Sequence, residues 1–330
     1  MSKFLVFILL AFLPVCILAG KEESFQKVLT RNFSVPDSSR LIVKNPAGTA
    51  TVLCEDRTDI EIRYRLYADC GDFNKSREMV AKMAVRIAVK KGDLVVEIEL
   101  PLQSIDKLKT PFLKSTASGK AEWKDFEVNY STRKGTGIFA EVEIFVPSGV
   151  DIEYEGLVGK LDMTGFSDEA KIELGFGEID LFQTSGTHDI LIGSGQVSLD
   201  EISGSIGFES GSGDICGTSG DLDILEITTG SGDIELSFDN CSKGIIQSAS
   251  GDIEIEIKEL FDGELSINTA SGDIDVKTSG KFASETYTTV SGDISHPDIE
   301  NDSHKSEIEN PEGSGILRTV TVSGNTSIDF

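Results

Sequence analysis

The stretch of sequence that decides the fold is SGDIELSFDNCSKGIIQSASGDIEIEIKELFDGELSINTASGDIDV, residues 231–276. It contains three copies of Ser-Gly-Asp-Ile, and one further copy lies on each side of it. The five copies occupy residues 212–215, 231–234, 250–253, 271–274 and 291–294, at spacings of 19, 19, 21 and 20 residues. Identical tetrapeptides at a nearly constant period are typical of a protein whose units stack on one another.

Weaker copies extend this register beyond the five. Towards the N-terminus they recur at 18-residue steps, at residues 194–197, 176–179 and 158–161. Towards the C-terminus, we expect Ser314-Gly315-Ile316 to be a frayed last copy. The repeats therefore predict one elongated solenoid of about 18–21-residue coils over residues 150–330.

Apolar residues alternate with polar ones on both sides of each glycine. After the glycine, Ile234 and Leu236 flank the acidic Glu235, and the other units repeat this pattern. Before the glycine runs a second apolar ladder: Ile172, Ile190, Phe208, Ile227, Ile246, Ile267 and Tyr287. Such alternation predicts half-buried strands, which neighbouring coils about 4.8 Å away would complete. We expect one inward column of Ile215, Ile234, Ile253, Ile274 and Ile294.

The turn residues of the motif raise an electrostatic question. We expect the glycine to permit a positive-φ turn. The stacked carboxylates would repel one another by roughly 0.9 kcal/mol in water. Solvent exposure and backbone N–H bonds are one way to relieve this, and Ca²⁺ between the coils is the alternative; no other cofactor is expected. The candidate calcium ligands are Asp214, Asp233, Asp252, Asp273 and Asp293.

Residues 21–149 predict a strand-rich N-terminal region with one short helix, over Asn74–Met83. Residues 103–137 predict a long loop or an irregular hairpin. The expected strands are Ser39–Val43, Ala50–Cys54, Asp59–Leu66, the hairpin Ala84–Val89 with Leu94–Leu100, and Gly137–Val146. The fold class is therefore mainly β, with the solenoid following this region.

Residues 1–20 have the pattern of a signal peptide. Lys3 precedes the apolar run Phe4–Ala19, which is shorter than the about 20 residues that span a membrane. Ala19 and Gly20 are small, as a cleavage site requires. An uncleaved anchor and lipidation at Cys16 are the alternatives. We expect export to the periplasm or cell surface, with no membrane insertion after signal removal.

The charge of the chain is unevenly distributed. Residues 151–330 hold 37 acidic and 8 basic residues, a net charge of −29, whereas residues 1–150 carry a net charge of +3. The acidic half would repel nucleic acid and anionic lipid headgroups, so neither is an expected partner. Cations, or a partner with a basic face, would be attracted.

Two pairs of cysteines can be assessed for disulfide formation from their positions in the sequence. Cys54 and Cys70 lie at the ends of strand-like stretches and could form a disulfide in an exported protein. Cys216 and Cys241 fall in neighbouring coils about six residues apart along the perimeter, roughly 20 Å of extended chain. A disulfide needs Cα atoms within about 7 Å, so we expect no bond between them.

The sequence lacks the common catalytic motifs. No Gly-x-Ser-x-Gly, P-loop or His-Glu-x-x-His pattern occurs, and His188, His296 and His304 are isolated from one another. We expect His188 to lie at the surface. Most acidic residues recur at equivalent positions of successive coils, as on a solvated face, whereas a catalytic pair would break the repeat. We therefore expect no enzymatic activity and no catalytic residues.

The arrangement resembles a family of exported bacterial β-repeat proteins that are often labelled candidate adhesins and are related to the toast-rack domains of envelope-stress proteins. The likeness spans roughly 35–300 and is carried by 43–52 (VKNPAGTATV), 142–149 (VEIFVPSG) and the coils. It implies a β-solenoid at the envelope or outside the cell. Two functions remain open. One is an adhesin-like scaffold that binds a protein or glycan; the other is an envelope-stress sensing or regulatory subunit that partners a membrane signalling protein.

Overall fold

A computed structural model describes residues 24–34, 40–114, 117–258, 262–298 and 304–330. Over these ranges the chain is mainly β-structure with one α-helix. No helix in the described ranges is both long and apolar enough to cross a membrane. The predicted leader 1–20, with its candidate lipidation site Cys16, lies outside the described residues.

The described part of the N-terminal region contains nine strands, one α-helix and one turn of 3₁₀ helix. They are β1 (Ser24–Ser34), β2 (Arg40–Cys54), β3 (Asp59–Asp69), α1 (Phe73–Ala81), β4 (Ala84–Lys90), β5 (Asp93–Glu99), the 3₁₀ turn (Leu102–Ser104), β6 (Leu108–Lys109), β7 (Ser118–Trp123), β8 (Phe126–Ser131) and β9 (Gly137–Val146). The predicted helix is confirmed, and the side chain of Asp72 caps its N-terminus by accepting the N–H of Lys75.

The regular elements described in the C-terminal region are all strands. They are β10 (Asp151–Thr164), β11 (Glu169–Phe182), β12 (Thr187–Thr229), β13 (Ile234–Ser250), β14 (Ile253–Ile257), β15 (Glu264–Ser271), β16 (Ile274–Thr278), β17 (Ser284–Ser291), β18 (Ile294–Ser295), β19 (Lys305–Glu309), β20 (Ile316–Ser323) and β21 (Thr326–Asp329). β12 runs without interruption through successive coils, and residues with positive φ within it, Glu201 and Gly204 among them, mark where the chain bends. The predicted mainly-β, solenoid-like class is confirmed.

The stack of parallel coils begins before residue 150. β2 pairs in parallel with β10 from Arg40 to Leu53, and β10 pairs in the same way with β11. β11 then pairs with β12, and β12 with β13. The first coil is thus supplied by β2, and residues 55–150 form an insertion between the first and second coils. The expected boundary at 149–150 marks the end of that insertion and not the start of the solenoid.

The insertion covers the N-terminal end of the stack. β5 and β9 pair in parallel with the two halves of β2 and so form a further layer on the first coil. β3 runs antiparallel to β9, and β1 runs antiparallel to β3. The expected loop or irregular hairpin at 103–137 is a small three-stranded sheet, in which the hairpin β7–β8 is joined by β6.

The predicted inward columns form the interior. Ile215 pairs with Ile234, and Ile253 pairs with both Ile234 and Ile274. All four side chains are buried. They belong to one continuous hydrophobic cluster that runs from Leu41 to Ile328. Period-2 alternation in the sequence therefore predicted correctly which side chains pack inside the coils.

The C-terminal end departs from simple sequential stacking. β20 pairs with β15 on one side and with β17 on the other, and β21 lies in the same way between β16 and β18. Thr326 therefore separates Ile274 from Ile294, and the expected unbroken isoleucine column is wrong at this point. The last copy of the motif is Ser323-Gly324-Asn325-Thr326 and not Ser314-Gly315-Ile316.

Close backbone packing, and not a positive φ, explains the glycines of the Ser-Gly-Asp turns. None of the five has φ in the left-handed region. A Cβ on Gly251 would lie 2.1 Å from the carbonyl oxygen of Gly232, and one on Gly272 would lie 2.2 Å from that of Gly251. Only a glycine lets adjacent turns approach this closely. The expected positive-φ turn is therefore wrong, and the motif requires glycine because a Cβ would collide with the adjacent turn.

The cysteines lie far apart. Cys54 pairs with Val146 at one end of β9, whereas Cys70 follows Asp69, which pairs with Gly137 at the other end. Nine residues of strand separate these ends, about 30 Å. The Cys54–Cys70 disulfide that the sequence left open is therefore ruled out by distance, and both thiols are free. The register also sets Cys216 opposite Glu235 and Cys241 opposite Leu222, which confirms their predicted separation.

His188 lies in the interior and not at the surface as expected. Its side chain takes the inward position beside Ala170 of the neighbouring coil and is fully buried. The ring of Phe166 lies 6.4 Å away, and neither imidazole nitrogen has a hydrogen-bond partner. Burial lowers the pKa of His188 to about 4, because the apolar coil interior disfavours the imidazolium.

Replacement of Gly251 by Ala should destabilise the solenoid by about 3 kcal/mol, because the new Cβ forces two coils apart. Gly220→Ala is the matched control, since its Cβ would meet nothing closer than 3.8 Å. That variant should stay within about 1 kcal/mol of the parent. The free energy of unfolding of both variants is measured by urea unfolding monitored by circular dichroism. Equal stabilities would contradict the close-packing explanation.

Acidification should unfold the chain partly through His188. The unfolded imidazole has an ordinary pKa of about 6.5, so between pH 6.5 and 4 the unfolded state binds a proton that the folded state does not. As the pH falls from 6.5 to 4, the free energy of unfolding should decrease by about 3 kcal/mol. Below pH 4 His188 should contribute no further change. His188→Leu should lack this component. Because the carboxylates titrate equally in both proteins, the difference between the two pH profiles isolates His188; parallel profiles would contradict the assignment.

Candidate interaction surface

The aspartates of the motif form a hydrogen-bonded ladder along the solenoid. The backbone N–H of each aspartate donates to Oδ1 of the aspartate one coil earlier. The distances are 3.0 Å for Asp233 to Asp214, 3.0 Å for Asp252 to Asp233 and 2.9 Å for Asp273 to Asp252. Asn325 then donates to Asp273 at 2.7 Å and accepts from Asp293 at 3.0 Å. Each turn therefore gives one carboxylate an N–H donor that offsets the repulsion between neighbours.

The geometry of the ladder bears on the calcium alternative. Each of the five aspartates is exposed, and one oxygen of four of them already accepts a backbone N–H. No group of three or more Asp, Glu, His or Cys side chains with metal-binding geometry occurs in the described ranges. The structure brings the candidates together in a row. Calcium binding by them stays the untested alternative to a purely structural ladder.

The strands that follow the turn carry an acidic face. Glu235 pairs with Glu254, and Glu254 with Asp275, so carboxylates recur at one outward position through three coils. Lys277 contacts Glu254 and lies 3.9 Å from Asp275. One lysine among several exposed acids leaves this face strongly negative, as the composition predicted.

A second acidic group lies near the N-terminal end of the same face. Lys160 contacts Asp162 and lies 2.8 Å from Asp180 of the next coil. Burial raises the pKa of Asp162 above its ordinary value. Burial acts in the same direction on Asp180, but hydrogen bonding to Lys160 holds the pKa of Asp180 below its ordinary value. This lysine offsets part of the negative charge of the two carboxylates and links the two coils through ion pairs.

The strands that precede the turn carry two adjacent outward columns that are uncharged over five coils. Its first column runs through paired residues: Thr228, Gln247, Asn268, Val320 and Thr288. Its second column, two positions further along each strand, consists of Gly230, Ala249, Ala270, Val322 and Val290. The valines are exposed, at 67% for Val290, 49% for Val322 and 39% for Val320. We call these ten residues the uncharged face. Exposed apolar groups in a regular patch are typical of an interaction site.

His296 has a close acidic partner, which its isolated position in the sequence did not reveal. Its Nε2 lies 2.8 Å from Glu285 Oε2, and its Nδ1 accepts the N–H of Asp298 at 2.9 Å. The Tyr287 hydroxyl donates to the same carboxylate, and burial raises the pKa of Tyr287. The Glu285 and His296 side chains are essentially sealed from solvent, at 1% and 0% exposed. This cluster therefore holds the terminal coil together and offers no accessible acid–base pair.

With this geometry established, the family can be assigned. The family model of Toastrack DUF4097 matches residues 116–329, which is well over half of the chain. The chain belongs to the Toastrack DUF4097 family. The matched residues include every coil from β10 onward, and the first coil, β2, lies before them. No curated protein matches this chain.

Three solved structures of bacterial proteins are similar to this Toastrack chain at low sequence identity. A candidate lipid-binding protein from Parabacteroides distasonis has 12% identity and a TM-score of 0.43, covering 91% of this chain and 96% of its own. A candidate adhesin from Parabacteroides merdae has 12% identity, coverages of 92% and 96%, and a TM-score of 0.39. A candidate adhesin from Bacteroides fragilis has 13% identity, the same coverages and a TM-score of 0.35.

Calcium should have little specific effect on stability if the Toastrack ladder is complete as observed. A Ca²⁺ titration should shift the melting temperature only as far as Na⁺ at matched ionic strength does. Changing Asp233, Asp252 or Asp273 to Asn should preserve the ladder, because Asn325 already fills an equivalent position. If ions bridge the coils, a hundredfold excess over Kd would add about 2.7 kcal/mol, which EDTA and the Asn variants would remove.

Proposed function

We propose that this protein is an exported, non-enzymatic scaffold that binds a protein or glycan partner at the bacterial envelope through its uncharged face. The observation that supports this proposal is the contrast between two faces of the same coils. One presents repeated carboxylates, and the other presents ten uncharged residues with three exposed valines. In a chain with a net charge of −26, such a patch is where a neutral or apolar surface can dock with the smallest desolvation cost.

The absence of an enzymatic role is part of the same proposal. His188 lies in the interior, and His296 and Glu285 are sealed from solvent. The outward carboxylates recur in register along the coils, in the pattern of a solvated face. Membership of the Toastrack family and the predicted leader support a location at the envelope, in the periplasm or on the cell surface.

The test compares two surface variants of the full mature chain. Val290→Asp with Val322→Asp places charge on the uncharged face, and Glu235→Gln with Glu254→Gln is the matched control on the acidic face. The side chains at all four positions are exposed, so both variants should keep the circular dichroism spectrum of the parent protein. Each protein is used in a pull-down from envelope extract and on a glycan array.

We expect the valine variant to lose the captured partner at least tenfold relative to the control, since one charge buried unpaired in an interface costs more than about 1.4 kcal/mol. Loss of binding only in the glutamate variant would place the site on the acidic face and overturn the proposal. Capture of a membrane signalling protein would favour the regulatory alternative over the adhesin-like scaffold.

A further inference from the structure

The strand pair β20–β21 completes a slot between two coils that are consecutive in the sequence. One wall is β15 with β16, and the other is β17 with β18. The N–H of Ile274 donates to the Asn325 carbonyl at 2.9 Å, and the N–H of Thr326 donates to the Asp293 carbonyl at 3.0 Å. Segment 316–329 therefore satisfies backbone groups on both walls, although 37 residues separate the end of β16 from its first residue.

The walls and the inserted segment share one sequence pattern. Residues 269–274 read TASGDI, residues 289–294 read TVSGDI, and residues 321–326 read TVSGNT. In all three the first Thr is buried, and Thr321 and Thr289 donate to glycine carbonyls of the adjacent coil. The slot thus recognises a segment through backbone pairing and small inward side chains. That recognition does not depend on whether the segment belongs to the same chain.

The connection to the segment is a short hinge at Asn310–Gly315. It joins β19, which runs antiparallel to β17 on one side, to β20, which runs parallel to β17 on the other. The chain must reverse direction within six residues, NPEGSG, that include Pro311 and two glycines. If this hinge straightens, the segment leaves the slot and exposes the edges of β15 and β17 to which it was paired. Short hinges that enforce such a reversal favour exchange of the element between copies.

We propose that β20–β21 is a donated strand pair, and that the partner which fits the slot is the same segment of a second copy of this chain. Exchange re-forms the contacts between segment 316–329 and the slot, including the hydrogen bond from the Asn325 N–H to Asp273 and the contact of Arg318 with Glu264. Reciprocal exchange gives a closed dimer. This assembly does not rest on the uncharged face binding a partner.

The test uses a disulfide that can form only across the slot. Asn268 pairs with Val320, both side chains point outward, and parallel neighbours lie about 4.8 Å apart, which a disulfide can span. An Asn268→Cys chain and a Val320→Cys chain are co-expressed with different tags and also unfolded and refolded together. After mild oxidation, peptide mapping by mass spectrometry identifies the specific 268–320 linkage despite the natural cysteines.

In this mixture a 268–320 linkage can arise only between two chains. We expect it to form, to increase with protein concentration, and to accompany a dimer in light scattering after size-exclusion chromatography. The matched control carries both substitutions in one chain, and at low concentration it should give the same linkage within a monomer. If the control links within the chain and the mixture gives no linkage at any concentration by either route, exchange is refuted.

A second control tests the slot itself. A chain with Asn268→Cys and Thr288→Cys should give no 268–288 linkage, because β20 separates these strands by two spacings, about 10 Å. Formation of that linkage would show that β17 stacks directly on β15. The slot would then not exist, and the proposal would fall with it.

Discussion

The close approach of one Ser-Gly-Asp turn to the next is the constraint on which the structure depends. The carbonyl of each turn occupies the space that a Cβ of the next turn would need, as between Gly232 and Gly251. The N–H that follows reaches the carboxylate of the preceding coil, as Asp252 does to Asp233. These two contacts set the coil spacing and register, and the inward columns can pack only because that register is maintained.

A constant register also determines the chemistry of the outer surface. Since side chains alternate along every strand, each outward position becomes a column along the stack. One set of columns repeats carboxylates such as Glu235 and Glu254, and the other repeats uncharged residues that end in Val322 and Val290. The protein thus combines a strongly negative surface with a limited uncharged one.

The same self-complementarity leaves the order of the coils open at the C-terminal end. Thr319 and Thr326 occupy inward positions beside Ile267 and Ile274, where earlier coils place isoleucines. Their methyl groups fill the column, and Asn325 preserves the acceptor that the ladder requires. A segment that satisfies every column can enter between coils as readily as it can follow them. The repeat pattern is therefore compatible with β20–β21 lying between two earlier coils, but it does not predict that position.

The sequence by itself determined the repeat, the strand alternation, the inward apolar residues and the acidic surface, because each of these depends on neighbours a few residues apart. It also predicted a helix at Asn74–Met83, close to the observed Phe73–Ala81, and the candidate row of aspartates. Only the tertiary structure decided that β2 is the first coil, that Thr326 lies between Ile274 and Ile294, and that His188 is buried. It also brought Glu285 to His296 and assembled the uncharged face from five coils. These features depend on which segments lie side by side. Because the coils share one sequence pattern, the sequence does not show which coils are neighbours, and backbone hydrogen bonding in the folded chain decides it.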